Sequence, residues 1–194
     1  MGSDATRRRI VDAAYTLFYR QGFARVGVDR IAEKAKVSKR TLYNHFPSKD
    51  VLLATVLELQ GVLALERLDR WAVGTSGDLA QTIDSLFSGL AAWAARPRWQ
   101  GAGFTRVVME LADMPGHPAR RIAGRHKAAV EARLATLMGR HGVARPDEAA
   151  RQLCLLLEGS MALMLVHGDA AYAAAAAAAA KRLALAAGAT PAGP

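Results

Sequence analysis

Apolar residues recur at intervals of three and four through nearly every window of this 194-residue chain, and they almost nowhere alternate singly. Ile10, Ala13, Ala14, Leu17 and Phe18 form one such stripe, and Val28, Ile31, Ala32 and Ala35 the next. A period near 3.6 buries one face of a helix, whereas a half-buried strand needs a period of two. The chain is therefore expected to be all-α, and at this length it can bury a substantial core as one or two domains.

Turn residues divide the pattern. Gly22-Phe23 closes the first helix, Lys36-Val37 separates the second from the third, and Phe46-Pro47 ends the third before Ser48 opens a long helix to about Arg70. Gly74-Thr75-Ser76-Gly77 marks a hinge or turn, and Asp78 with Gln81 three residues on reads as the capped start of a helix to about Ala95. Further helices are expected over about 99–113, from Pro118 to Arg140, from Pro146 to Val166 and from Ala170 to Ala187, with breaks at Pro115-Gly116, Gly142 and Gly168-Asp169. That makes about nine helices. The alanine run from Ala173 to Ala180 favours a helix whose bare face lets a neighbour approach closely, and residues 188–194 read as a disordered tail.

Charge is unevenly spread. The 26 Lys and Arg against 17 Asp and Glu give a net charge of +9, and residues 1–50 alone hold 11 basic against 5 acidic side chains. An excess so placed points to an anionic partner of the N-terminal quarter, nucleic acid or an acidic membrane surface. The single cysteine, Cys154, lies in the apolar run Leu153-Cys154-Leu155-Leu156-Leu157, which fits a small buried hydrophobe in a reducing cytosol. The N-terminus lacks the apolar core of a signal peptide. The most apolar stretch, Leu153 to Val166, contains Glu158 and falls short of the roughly 18 residues a spanning helix needs. A soluble cytoplasmic protein without membrane attachment is expected.

The third helix carries the chemistry. Ser38 suits an N-cap, which makes Val37 and Leu42 the two halves of a hydrophobic staple. Leu42 and Phe46 share one narrow stripe, while Arg40, Thr41, Tyr43, Asn44 and His45 spread over the remaining surface. Taken alone, a polar face on a short helix is most often simply solvated. These side chains nevertheless match the vocabulary of the major groove: Arg reads guanine two-handed, Asn reads adenine, Thr touches a thymine methyl, and Tyr, His and Lys take phosphates. A short turn joins this helix to the one before it, where Ala32 permits a close crossing, as a helix-turn-helix requires.

The run Gly22-Phe23-x-x-Val26-Gly27-Val28-x-x-Ile31-Ala32-x-x-Ala35-x-Val37-Ser38-x-x-Thr41-Leu42-Tyr43-x-His45-Phe46-x-Ser48-Lys49-Asp50 resembles the N-terminal pattern of the tetracycline-repressor (TetR) family of transcriptional regulators. The match spans about residues 7–53, and the rest of the chain resembles the family in length and helix count only. The resemblance implies an N-terminal helix-turn-helix domain, residues 1–50, linked through the long helix 48–70 to a ligand-binding and dimerisation domain, residues 51–187. It implies a homodimer on double-stranded DNA, with Lys39, Arg40, Thr41, Tyr43, Asn44, His45 and Lys49 at the DNA-contacting positions. Arg40 and Asn44 are assigned to base edges, and Tyr43, His45 and Lys49 to phosphate. Arg7, Arg8 and Arg9 would oppose a helix dipole at an N-terminus unless a phosphate lay near. Two positions depart from the pattern: Lys36 stands where the family has Gly, costing on the order of 1 kcal/mol if the turn is left-handed, and Gly27 replaces a capping hydroxyl.

The resemblance also implies a ligand cavity among the middle and late helices and a dimer-forming bundle of the last two. Phe87, Trp93, Trp99, Phe104, Met109, Met161 and Met164 are the candidate walls, although each residue type also fills any helical core. Glu110, Glu158, Arg106 and His167 are the candidate polar handles for a small, largely apolar effector. A long fourth helix of about 35 Å would act as a lever on the spacing of the two reading helices. A DNA-binding dimer whose C-terminal half serves only dimerisation or protein contacts is the competing expectation. Catalysis is not expected: the five histidines show no short metal-ligand spacing, and neither a phosphate loop nor a nucleophile elbow is present. No cofactor and no metal are anticipated.

Overall fold

The computed structural model describes residues 2–72 and 78–186. The Gly74 to Gly77 break and the tail from 188 lie outside these. Nine helices are present among the described residues, with no strand: α1 (Gly2–Gln21), α2 (Val28–Ala35), α3 (Lys39–His45), α4 (Lys49–Ala72), α5 (Leu79–Ala94), α6 (Gly103–Glu110), α7 (Pro118–Arg140), α8 (Pro146–His167) and α9 (Ala171–Ala186).

The starts and stops have local causes. Ser38 Oγ accepts from the Thr41 N–H at 3.0 Å, and Asp78 Oδ1 from the Ala80 N–H at 2.9 Å, so both predicted caps are made. Gly27 caps α2 without any side-chain bond. At the end of α2, Lys36 adopts φ 54° and ψ 50°, donating to Glu33 O while Val37 donates to Ala32 O, both at 3.0 Å. This pair of bonds is the Schellman ending that glycine adopts without strain. We expect Lys36→Gly to stabilise the protein by about 1 kcal/mol, seen as a higher urea midpoint with an unchanged m-value; a destabilised variant would show that the lysine stem packs usefully.

Three expectations need correction. The helix expected over 99–113 is only α6, because Arg98 (φ 63°) and Gly101 (φ 75°) turn the chain left-handed ahead of it. The arginines Arg7 to Arg9 do not sit at a helix N-terminus: α1 begins at Gly2, and Asp4 occupies its first turn. Finally, α8 has 22 residues and a hydropathy of 1.4 over its best window, long and apolar enough to cross a membrane by length and composition. Its apolarity has two faces. Ala150, Leu153, Leu157, Ser160 and Met164 are buried against protein, whereas Leu155, Leu163 and Val166 are exposed.

Two compact units are formed, Met1–Val62 with Gly103–Arg125, and Leu63–Ala102 with His126–Pro194. In the first, Ile10, Ala14, Val26, Ile31, Leu42 and Leu52 are wholly excluded from solvent, and Phe104, Val107, Leu111, Ala119 and Ile122 from the second chain segment complete the same core. In the second, α9 packs on α8 and α5 through Ala173, Ala176, Ala177, Ala180 and Ala184, so the alanine run supplies a close-packed face.

Candidate functional site

The α3 helix is held from both ends. Leu42 is 0% and Phe46 1% exposed, the Phe46 N–H caps Leu42 O at 2.9 Å, and the Arg7 guanidinium lies 5.0 Å from the Phe46 ring centroid. Val37 packs against the same core. Outward from these anchors stand Arg40, Tyr43 and Asn44, all exposed, with His45 half-buried. Among the described residues none of these four takes a hydrogen-bond or ion-pair partner from the chain. Thr41 shares a 2.8 Å hydroxyl bond with Ser38. Lys39 pairs with Asp29 of α2 at 2.9 Å; that hydrogen bond and charge raise the Lys39 pKa and steady α3 against α2. The pair is solvent-exposed, so salt screens it.

Lys49 is placed differently from the other candidates. Its ammonium donates to Phe23 O (3.1 Å) and Val26 O (3.2 Å) and lies 4.1 Å from the Phe23 ring centroid, which closes the turn between α1 and α2. Two of the three ammonium donors of Lys49 are thus taken within the chain. The first unit as a whole carries 15 Lys and Arg against 8 Asp and Glu. It holds seven of the nine excess positive charges, which suits a polyanion.

The candidate ligand residues are divided between the two units. Phe104 is in the core of the first unit, and Met109, on the same short helix, is 72% exposed. Glu110 and Arg106 also belong there. The Glu110 carboxylate accepts from the Ala24 N–H at 3.1 Å and pairs with Arg106 at 3.3 Å, and Arg106 donates to Tyr19 O at 2.9 Å. Gly22 has φ +86°, and a Cβ there would lie 2.7 Å from a Glu110 oxygen, so the turn after α1 is closed directly on this carboxylate. In the second unit Phe87 (1% exposed) and Met164 (4%) are core, Met161 packs at its margin, and His167 stacks on Tyr172.

Trp93 and Trp99 do come together, edge to face at 5.5 Å, and Trp71 joins them 6.1 Å from Trp93. The Arg67 guanidinium lies 4.5 Å from the Trp93 centroid. Sequence reasoning missed Arg67 and Trp71, although their four-residue spacing on one helix, in a chain with three tryptophans, was a usable signal. Glu158 of the same unit is ion-paired with Lys127. Beside that pair, burial lowers the His126 pKa to about 4, with the Lys127 charge adding to the effect, so the imidazole is neutral near pH 7. Burial pushes the Cys154 thiol up to about 11, which leaves it inert as a thiolate nucleophile.

Known proteins share this arrangement. Residues 10–56, which include all of α2 and α3, match the bacterial regulatory proteins of the tetR family. The HTH-type transcriptional repressor SCO4008 of Streptomyces coelicolor is 32% identical over 125 residues, an alignment covering 62% of this chain and 62% of that protein, less than two thirds of its length. The structure of SCO4454 from the same species superimposes with a TM-score of 0.84 over 94% of this chain and 95% of that one, at 24% identity, and so speaks for the fold. The structure of sav143 from Streptomyces avermitilis, assigned to the tetR transcriptional regulators, is 32% identical, with a TM-score of 0.76 and coverage of 91% of this chain and 98% of that one. With a capped, doubly anchored third helix inside the matched segment and a relative of this identity along nearly its whole length, the chain belongs to the tetR family of DNA-binding transcriptional regulators.

Proposed function

We propose that the protein is a homodimeric repressor that reads a palindromic operator with α3 of each subunit and leaves it when a small, largely apolar effector binds the second unit. The observation that carries the DNA half is the contrast within α3: the start and end of the helix are fixed by Ser38, Leu42 and Phe46, yet Arg40, Tyr43, Asn44 and His45 face outward unpaired. Rigid presentation of unsatisfied donors lowers the entropy lost on docking. Arg40 and Asn44 are assigned to bases, and Tyr43 and His45 to phosphates. The name of SCO4008 supports repression as the direction of control.

Dimerisation through the last two helices has its own support. On α8 the exposed residues Leu155, Gly159, Ala162, Leu163 and Val166 form a stripe at helical spacing, and Leu185 is exposed on α9. An apolar stripe of this kind is costly in water and small residues within it allow close approach by a second copy. Coupling to DNA can pass through α6, because Trp99 precedes that helix by four residues and Arg106 and Glu110 tie it to the backbone at Tyr19 and Ala24. It can also pass along α4, about 36 Å long at 1.5 Å per residue. An effector that favours one arrangement then alters operator affinity by linkage. Such a regulator works in the cytoplasm, where its DNA is.

Selection of bound duplexes from a random pool by the purified protein, with sedimentation of the free protein, tests this. A palindromic consensus with half-sites about one helical turn apart, bound by a dimer, is expected. Salt-sensitive binding without a consensus, or a monomer at micromolar concentration, would remove the proposal.

A further inference from the structure

The turn between α6 and α7 sets one imidazole against the chain both ahead of α2 and behind α3. His117 has a side chain only 8% exposed. Its Nδ1 accepts the Ala119 N–H at 3.1 Å, capping α7, and its ring stands edge-on to Phe23 of the α1–α2 turn, centroids 6.0 Å apart. A ring nitrogen that accepts an N–H carries no proton of its own, so the ring hydrogen sits on Nε2. That Nε2–H is buried and, among the described residues, has no hydrogen-bond partner, while Asp50 Oδ1, in the first turn of α4, is 3.5 Å away. A buried donor left short of its acceptor costs free energy, and such groups in native structures call for an explanation.

We propose that His117 is a positioning residue for operator binding: its Nε2–H takes the Asp50 carboxylate as α3 docks and fixes the α3–α4 junction in the reading orientation. The inference rests on the operator reading above and adds to it a residue outside the helix-turn-helix. Only residues 46–48 separate α3 from α4, so a shift in the first turn of α4 carries the end of α3 with it. Asp50 directly follows Lys49, whose ammonium holds the carbonyls of Phe23 and Val26 just ahead of α2. Among the described residues no other cation pairs with Asp50, so its carboxylate is free to be taken. Phosphates arriving at the start of α4 repel that carboxylate, which is 53% exposed, and the buried N–H is the partner at hand. A small closure turns the present approach into a charge-assisted bond. Because the bond is completed only in the docked state, it adds to operator affinity by linkage more than to folding.

The test titrates variants of the full-length protein against the selected operator, with urea unfolding of each. His117→Asn keeps an oxygen to cap α7 and loses the reach to Asp50, whereas His117→Gln keeps the reach and loses the preferred cap. His117→Asn is expected to unfold at the parental midpoint yet bind operator about a hundredfold more weakly, about tenfold for the bond lost in each of two subunits. His117→Gln should lose stability but bind, where folded, within about threefold of the parent. Asp50→Asn alone also relieves repulsion from DNA, so its effect is read from a double-mutant cycle, where the two positions should couple by a similar factor. In the free protein, the nitrogen chemical shifts of His117 should place the proton on Nε2. The opposite order, with the Asn variant binding as the parent does and the Gln variant weakly, would reduce His117 to a helix cap and overturn the inference. Independent effects in the cycle, or a proton on Nδ1, would do the same. A pool that yields no operator sinks the operator reading and this role with it, whereas an operator bound equally by the parent and the Asn variant sinks the role alone.

Discussion

Titrated against its selected operator, the Arg40→Ala protein is expected to bind between about 30-fold and about 20,000-fold more weakly than the parent, since each two-handed Arg–guanine pair is worth about 1–3 kcal/mol and a palindrome contains two. The side chain is exposed and without a partner among the described residues, and alanine suits a helix better than arginine, so folding is undisturbed. Specificity at one base pair per half-site should relax as affinity falls. A uniform loss across all duplexes, with the salt slope reduced by about one per copy, would instead place Arg40 on phosphate and leave base reading to Asn44.

Phe46→Ala is expected to cost the first unit about 3–5 kcal/mol, the range for deleting a buried phenyl ring, and with it most operator binding at physiological temperature. Phe46 is 1% exposed, its N–H ends α3 on Leu42 O, and its ring receives Arg7 from α1. Phe46→Leu keeps most of the volume and should cost under about 1.5 kcal/mol, with DNA binding retained. Urea unfolding of both variants measures this. A loss below about 1 kcal/mol for the alanine variant would mean that α3 is held by its cap and Leu42 alone.

What could be seen in the sequence was local. Ser38 and Asp78 were legible as caps, and Lys36 as a strained ending, because each depends on bonds to residues no more than five positions away. What could not be seen there were contacts with distant partners. Lys49 reads as a cation beside DNA, yet its partners are the carbonyls of Phe23 and Val26, 26 and 23 residues back. Glu110 reads as a handle for a ligand, and its place against Gly22 and Ala24, 86 residues from the latter, is set by the tertiary fold. The length of α6 was overstated because the apolar period runs on through Trp99, while the left-handed Arg98 has no signature in its residue type.

The first unit is assembled from two separated pieces of chain, 1–62 and 103–125. A reading head cut from this protein as one cassette, or exchanged with that of a relative at residue 50, would leave behind Phe104, Val107, Leu111, Ala119 and Ile122 and bare the apolar faces they cover. It would also lose the carboxylate on which the turn at Gly22 closes. Transplanting operator specificity therefore calls either for grafting the outward side chains of α3 alone or for moving both pieces together, and drift in either piece is constrained by the other.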